Sequence, residues 1–182
     1  MNLFFRLIWL SLVTRWRTVV PALGPCRTPF RVLPTDLDLL CHVNNGVYLS
    51  MMDLARVDFS SRAGVSKPMR ARGWYGVIVA ETIRFRRPLT LLQRFEIETR
   101  VLAWDERAFL LEQRFFRGDD QIAHALVRAR FLSRDGAKVT PRDVLALGGS
   151  PSRPPDPPEW VARWNAEQSA SRGIEFEPND TG

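Results

Sequence analysis

One polar stretch, residues 36–48, holds the side chains whose types and spacing are most suited to chemistry. Two carboxylates, Asp36 and Asp38, precede His42, and Asn45 stands where a helical pattern begins. The first backbone amides of a helix have no acceptor within it and form a partial positive pole. A carbonyl group held at such a pole has its developing oxyanion stabilised, and one such donor is typically worth about 2.7 to 4 kcal/mol.

Asp38 is the carboxylate that we expect to reach such a carbonyl carbon. It can attack the carbon directly and form a mixed anhydride, or it can deprotonate a water molecule. Asp-rich loops before helices also have an ordinary structural use, because their side chains cap the helix or form turns. We assign that structural role to Asp36, and we expect His42 to orient Asp38 or to hold the loop.

The elements around this stretch are a strand, a long helix and four further strands. A first strand is predicted from Arg27 to Leu33, and a helix from about Asn45 to Ala63, ending at Gly64. Apolar positions spread widely around that helix, so we expect it to be buried. Four strand-like runs follow, with clear apolar–polar alternation in the last three, at residues 74–86, 94–105, 109–117 and 121–134. This order predicts an α+β domain.

Several motifs in residues 27–135 resemble the 4-hydroxybenzoyl-CoA thioesterase-like family. They are, in chain order, Arg31-Val32-Leu33, Asp36-Leu37-Asp38, His42-Val43-Asn44-Asn45, Tyr48, Asp53-Leu54-Ala55-Arg56 and Phe85-Arg86-Arg87-Pro88-Leu89. The apolar N-terminal segment is similar to the branch of the superfamily that carries a hydrophobic leader. The resemblance implies a hotdog fold, in which a curved antiparallel β-sheet wraps a long buried helix.

The resemblance also implies a function, the hydrolysis of an acyl-CoA thioester to free acid and CoA without a metal or organic cofactor. Asp38 matches the family's catalytic carboxylate, and the amide that polarises the thioester carbonyl falls on Asn45. The sequence departs from some members after the catalytic carboxylate, where Leu39-Leu40-Cys41 replaces small or Gly-containing residues. We expect this change to narrow the mouth of the site.

Partners follow from the same resemblance. Family members dimerise through edge-to-edge strand pairing, with active sites at that interface, so we expect a homodimer or a tetramer. The CoA phosphates are met by basic side chains, for which Arg86 and Arg87 are our choices, with Arg84 and Arg128 as further ones. Tyr48 is expected to line the core or the acyl end of the pocket.

Two other functions compete with hydrolysis. One is a non-catalytic acyl-CoA-binding or membrane-associated protein, which the apolar N-terminus and the Pro-rich C-terminal region suggest. The other is a hotdog dehydratase or hydratase, whose pattern places an Asp five positions before a His. Here His42 follows Asp38 by four positions and Asp36 by six, which argues against that reaction.

Composition narrows the choice of partners and compartment. The chain has 182 residues, enough for one domain, and a formal net charge of +6 that comes almost entirely from arginine, which suits phosphate-bearing ligands. Zinc-finger spacing, aromatic RNA-binding signatures and basic helices with stacking residues are absent from the sequence, which argues against nucleic acid. Two cysteines, Cys26 and Cys41, and two histidines give no metal-ligand spacing and favour a reducing, cytoplasmic location.

The sequence divides into three parts. Residues 1–26 form an apolar helix, predicted over 1–17, and a linker, and residues 27–147 form the hotdog domain. Residues 148–182 comprise a Pro-rich linker, a short helix from Glu159 to Ser169 and a flexible tail. The apolar run is shorter than the roughly 20 residues that span a bilayer. The helix therefore either contacts a membrane surface through residues 3–17, which makes the protein peripheral to the membrane, or packs back on the domain.

Overall fold

A five-stranded antiparallel sheet and a long helix lie at the centre of the structure, a computed structural model that describes residues 2–13, 17–149 and 155–170. The strands are β1 (Cys26–Arg31), β2 (Trp74–Phe85), β3 (Arg94–Trp104), β4 (Phe109–Arg117) and β5 (Asp120–Ser133), in the spatial order β1-β3-β4-β5-β2. The helices are α1 (Asn2–Val13), α2 (Asn45–Arg62), α3 (Ser66–Ala71), α4 (Pro141–Leu147) and α5 (Glu159–Ala170). The predicted tail, part of the Pro-rich linker and residues 14–16 lie outside the described residues.

The inner face of the sheet carries small and apolar side chains, and α2 packs against it. On β5 this face consists largely of small residues that let a helix approach closely, namely Ala123, Ala125, Val127 and Ala129. From α2, the side chains of Met51, Met52 and Ala55 are fully buried in the same core. The α+β hotdog architecture is therefore confirmed, with the predicted strands displaced by one or two residues at their ends.

The ends of α2 follow from local side-chain chemistry. Asn44 caps its first turn, because its Oδ1 atom accepts a hydrogen bond from the Gly46 amide at 2.9 Å. The helix ends at Arg62, and Gly64 follows the cap residue with φ of +77°, a left-handed conformation that glycine adopts without strain.

The N-terminal helix packs back on the domain, against α2. Leu10 is buried, and the Arg6 guanidinium donates to the carbonyl of Arg31 at 3.0 Å. After the helix, the Arg17 guanidinium pairs with the buried carboxylate of Asp58 on α2 at 2.9 Å. This packing explains why α2 has apolar residues on so much of its surface. Among the described helices, none is long and apolar enough to cross a membrane.

Two short helices, α3 and α4, were not predicted. α4 had a readable signal, because Thr140 and Asp143 form a capping box around Pro141 at its first turn. α3 has no side-chain cap, and its six residues include Pro68, so no periodicity announces it.

The outer face of the sheet is covered in part by α5 and carries a network of ion pairs. Val161 of α5 is fully buried against Leu110 and Leu126, and the Trp160 ring contacts the His124 ring at 5.6 Å. Beneath it, Glu112 accepts hydrogen bonds from His124 Nε2 at 2.9 Å and Arg100 Nε at 2.6 Å. Burial raises the pKa of Glu112, but the His124 hydrogen bond and the Arg100 and Arg114 guanidinium groups outweigh it and lower the pKa to about 2.

We predict that this carboxylate makes the protein acid-sensitive. Because its pKa is lower in the folded chain than its ordinary value of 4.5, its contribution to stability is present above pH 4.5 and is lost as the pH falls towards 2. The lowered pKa corresponds to about 3 kcal/mol over that window. Urea denaturation of wild type and Glu112→Gln at pH 7 and pH 3 should show a smaller acid loss in the variant. If wild type and Glu112→Gln lose equal free energy of unfolding between pH 7 and pH 3, Glu112 is not the group that causes the acid sensitivity.

Candidate active site

The segment that carries the predicted catalytic residues forms a small hairpin. Leu37 and Val43 pair as an isolated antiparallel bridge, and the Asp38 amide donates to the His42 carbonyl at 2.8 Å. One step further down, the Asn44 amide donates to the Asp36 carbonyl at 2.9 Å. The tip is the Leu39-Leu40-Cys41 run, in which Cys41 has φ of +59° to close the turn. This hairpin therefore leads the chain directly into the first turn of α2.

The Asp38 side chain is half-buried and held at one oxygen only. Its Oδ1 atom accepts hydrogen bonds from the amides of Leu40 at 2.8 Å and His42 at 3.2 Å, an Asx-type turn. Its Oδ2 atom makes no hydrogen bond with any part of the chain that the structure describes. One oxygen therefore fixes the carboxylate while the other is available for chemistry.

The hairpin is anchored beside the connection between β2 and β3. The Val43 amide donates to the Leu89 carbonyl at 2.9 Å, and His42 forms an isolated bridge with Thr90. Leu89 in turn donates its amide to the Tyr48 hydroxyl at 3.2 Å. The anchoring of the hairpin by Leu89 was not predicted from the sequence. The Pro88-Leu89 turn, part of the motif at residues 85–89, was the signal that could have indicated it.

Tyr48 lies in the core at this end of the sheet, as expected. It is 2% exposed, and its ring contacts Phe85 at 4.9 Å and Phe115 at 5.4 Å between ring centroids. Burial raises the pKa of the Tyr48 hydroxyl, and the hydrogen bond from Leu89 opposes that shift only in part. The phenol is therefore neutral at physiological pH. Its ring adds to the apolar core, and its hydroxyl is the one polar group of the side chain.

Asn45 places a free amide at the start of α2. The Gly46 amide is used by the cap, and the amides of Val47 and Tyr48 donate to the Asn44 carbonyl at 2.9 and 3.4 Å. The Asn45 amide has no acceptor among residues 2–13, 17–149 and 155–170. It is the first-turn donor left for a ligand oxygen.

The two acidic residues of the pair have different environments. Asp36 is 3% exposed, pairs with the Arg6 guanidinium at 2.6 Å and accepts from the Leu33 amide at 2.7 Å. This carboxylate ties α1 to the base of the hairpin, in the structural role that we assigned to it. The His42 imidazole forms no hydrogen bond with either carboxylate in the described structure, so His42 acts on Asp38 through its backbone.

The arginines predicted to meet phosphate groups differ in their exposure and in their ion-pair partners. Arg86 and Arg87 are exposed just after β2, and the Arg87 guanidinium pairs with Asp120 at 2.5 Å. Arg128 is the exception, because it is 3% exposed and bound to Asp105 at 2.6 Å and Asn165 at 2.8 Å. A contact between Arg128 and a phosphate group is therefore a wrong prediction, since α5 covers that side chain.

The fold and this site define a hotdog protein of the thioesterase type. The family model of the thioesterase-like superfamily matches residues 32–165, and the chain belongs to that superfamily. The resemblance read from the motifs is thus confirmed.

Individual relatives agree with this membership. The chain is 38% identical over 135 residues to Protein THEM6 of Xenopus laevis, covering 73% of this chain and 63% of that protein. It therefore spans less than two thirds of that relative's length. A gentisyl-coenzyme A thioesterase has the same fold, with a TM-score of 0.61, 22% identity and coverage of 66% of this chain and 99% of its own. A thioesterase from Thermus thermophilus, complexed with coenzyme A and Zn, gives a TM-score of 0.57, 25% identity and coverages of 69% and 95%.

Proposed function

We propose that the protein hydrolyses an acyl-CoA thioester to a free acid and CoA. The observation that carries this proposal is the Asp38 carboxylate, which is held at one oxygen and unbonded at the other, in a hairpin that ends at the free Asn45 amide. Membership of the thioesterase-like superfamily supports hydrolysis of a thioester. The structural neighbour that contains coenzyme A supports CoA as the carrier.

The proposed chemistry assigns a separate task to each group. The Asn45 amide donates to the carbonyl oxygen of the thioester and stabilises the negative charge that develops there. Asp38 Oδ2 either attacks the carbonyl carbon, expelling the CoA thiolate and leaving an anhydride that water hydrolyses, or takes the proton from an attacking water molecule. The thiolate receives a proton in both routes. The amides of Leu40 and His42 fix the carboxylate during either one.

A hydratase or dehydratase is less consistent with this geometry. Such a reaction needs an imidazole paired with a carboxylate across the pocket, whereas His42 contacts Asp38 through its backbone. A binding protein without catalysis would use the same fold and the same residues, so only an activity measurement separates it from the proposed hydrolase.

We predict that Asp38→Asn lowers kcat by about 10²–10⁴-fold, the usual contribution of a positioned acid or base. The replacement keeps an oxygen that accepts from Leu40 and His42, so the hairpin is retained. Thiol release from a panel of acyl-CoA esters measures the effect. Asp119→Asn makes the same change at an exposed turn and should leave kcat unaltered. If the two variants release thiol at the wild-type rate, Asp38 has no catalytic function.

We also propose that the protein is a homodimer that pairs through β2. The two edges of the sheet differ in how they are protected. β1 is short and contains Pro29, and its outward carbonyls at Arg27 and Arg31 accept from Arg62 and Arg6. β2 is twelve residues long, lacks proline and exposes Tyr75, Ile78, Val79 and Phe85. A long apolar edge of this kind is a template for strand pairing.

Ile78→Lys should therefore convert the dimer to a monomer, because two copies bring like charges together at the middle of β2. The molar mass measured by light scattering after size-exclusion chromatography should fall from twice the chain mass of 20.9 kDa to the mass of one chain. Val19→Lys is the control, since Val19 is 83% exposed and far from β2 in the sequence. A mass that does not change in Ile78→Lys excludes this interface, and twice the dimer mass in wild type indicates the tetramer.

We further propose that the protein is cytoplasmic and contacts a membrane surface through α1. Phe5, Ile8 and Leu12 are spaced as i, i+3 and i+7 and are exposed, while Leu10 is buried in the domain. Residues at this spacing lie on one face of a helix, and an exposed apolar face of this kind binds the interfacial region of a bilayer.

Replacing Ile8 by Glu should lower binding to anionic phospholipid vesicles about tenfold or more, because it removes one buried apolar side chain and adds a charge of the wrong sign. Co-sedimentation with vesicles measures the bound fraction. Val19→Glu makes the same charge change outside the helix and should bind more like wild type. Equal partition of both variants and wild type rules out α1 as the contact.

A further inference from the structure

Two large apolar side chains are exposed at the tip of the hairpin that carries Asp38. Leu39 is fully exposed, and Leu40 is 75% exposed. Both belong to the run in which the sequence departs from some members of the family, so this departure places leucine side chains in solvent. Apolar surface gains free energy when it leaves water, and adjacent exposed leucines mark a contact surface when they belong to a larger apolar patch.

The connection between β2 and β3 places a second pair of leucines beside the hairpin. Leu91 and Leu92 are 46% and 51% exposed. The bridge between His42 and Thr90 joins the hairpin to this connection one residue before Leu91. The Leu92 amide donates to the Val32 carbonyl at 3.1 Å, so the backbone fixes the loop while the side chain stays half-exposed.

The exposed apolar face of α1 begins at the same end of the molecule. The Arg6 guanidinium donates to the Arg31 carbonyl at 3.0 Å and pairs with Asp36, at the base of the hairpin, at 2.6 Å. Arg31 in turn donates from its Nε atom to the Leu92 carbonyl at 3.2 Å. Phe5, the neighbour of Arg6 on α1, is 64% exposed. Three apolar segments therefore meet around one small group of contacts, and a flat surface can touch all three at once.

Arginines flank these apolar segments. Residues 86–94 include no acidic residue and three arginines, Arg86, Arg87 and Arg94. Arg31 is exposed as well, and the Asp120 carboxylate pairs with Arg87 at 2.5 Å. Leucines bordered by arginines match the interface of an anionic bilayer, in which phosphate groups lie above the apolar chains.

The proposed pairing of two copies at β2 leaves the β2–β3 leucines uncovered. Leu92 is bonded to Val32, which directly follows β1, and β1 and β2 are the two opposite edges of the sheet. Four strand spacings of about 4.8 Å separate these edges, about 19 Å in all. A second copy is therefore not the occupant that the position of Leu92 favours.

We propose that the leucines of the hairpin tip and of the β2–β3 connection dock on an anionic bilayer together with α1, so that the Asp38 hairpin lies at the lipid surface. Resting on the proposed function, this orientation assigns the substrate to acyl-CoA esters whose chains partition into the membrane. The chain of such an ester lies among the lipid chains while its CoA group stays in water. Its thioester then lies at the interface, at the depth of the hairpin, and reaches Asp38 by lateral diffusion.

The chain carries its own probe for this orientation. Cys41 is exposed at the hairpin tip, and Cys26, the other cysteine of the sequence, is buried. A nitrobenzoxadiazole label on Cys41 of the full-length protein should shift its emission to the blue on vesicles of phosphatidylcholine and phosphatidylglycerol. Nitroxide-labelled lipids should quench that emission.

A label at the other end of α2 is the matched control. Val19→Cys in a Cys41→Ser background places it there, because the Val20 amide donates to the Arg62 carbonyl in the last turn of α2. The eighteen residues of α2 correspond to about 27 Å between this turn and the hairpin. The control label should keep the emission that it has in water.

Substitutions in the β2–β3 connection test the contribution of its leucines. Leu91→Glu together with Leu92→Glu should weaken binding to these vesicles by at least about tenfold, because two apolar side chains are lost and two charges of the wrong sign are added. The kcat/KM for palmitoyl-CoA presented in the vesicles should fall by a similar factor. Hydrolysis of the same ester dissolved as monomers without vesicles should not change. Val19→Glu with Val57→Glu makes the same change at exposed positions elsewhere and should behave like wild type.

Four results overturn the proposal. A Cys41 label that stays in water while the protein binds vesicles excludes the orientation, and an equal loss of vesicle binding in the Val19 and Val57 variant excludes the leucines as a specific contact. Equal affinity for phosphatidylcholine alone excludes the anionic bilayer. A leucine variant that changes the molar mass in light scattering, with vesicle binding unaltered, identifies a second copy as the occupant.

Failure of this proposal is distinct from failure of the proposed function, because immersion of the Cys41 label requires no turnover. Hydrolysis that depends on Asp38, together with a Cys41 label that stays in water, removes only the orientation. Conversely, an immersed label in a protein whose activity is insensitive to Asp38→Asn leaves the docking surface standing and removes the catalytic assignment.

Discussion

The backbone of Leu89 is the point on which the geometry of the site depends. Its carbonyl accepts from Val43 and its amide donates to the Tyr48 hydroxyl, so one buried residue joins the hairpin, the central helix and the connection between β2 and β3. Because both groups are buried, leaving either without a partner costs about 1–3 kcal/mol. The hairpin therefore has one low-energy position relative to α2. That constraint sets where Asp38 stands with respect to the first turn of the helix, although the described hydrogen bonds of Leu89 are made with Val43 and Tyr48.

Two carboxylates two residues apart have separate tasks because their surroundings differ. Asp36 is turned into the protein, where the Arg6 guanidinium and the Leu33 amide both bind its Oδ2 atom, so it stabilises the loop and holds α1. Asp38 is turned towards the tip of the hairpin, where local amides satisfy only one of its oxygens. A substitution of Asp36 by Asn removes the carboxylate that pairs with the Arg6 guanidinium, whereas the same substitution at Asp38 keeps the turn. The structural role of Asp36 and the proposed catalytic role of Asp38 can therefore be tested by separate substitutions.

The parts of this structure that were predictable are those with a local cause. Strand alternation in β3, β4 and β5 and the apolar pattern of α2 follow from which side chains need burial, and the hotdog order followed from the motifs around Asp38. α3 was not predictable, because six residues without a cap leave no periodic signal. Which of Arg128 and Arg130 has a hydrogen-bond partner was not predictable either. Both side chains lie on the outer face of β5. Asn165 of α5, which comes much later in the chain, accepts from Arg128, whereas the Nε atom of Arg130 has no acceptor among the described residues.

The two terminal helices also restrict how copies of the chain can associate. α5 covers part of the outer face of the sheet, and α1 packs on the side of α2 that the sheet leaves free. At the β1 edge, Pro29 and two arginine contacts reduce the backbone groups available for pairing. The β2 edge retains its unpaired backbone groups and its exposed apolar side chains, and Phe85 on that edge touches Tyr48 in the core. A second copy paired at this edge would therefore lie beside Phe85 and Tyr48, at the end of the sheet where the hairpin that carries Asp38 is anchored.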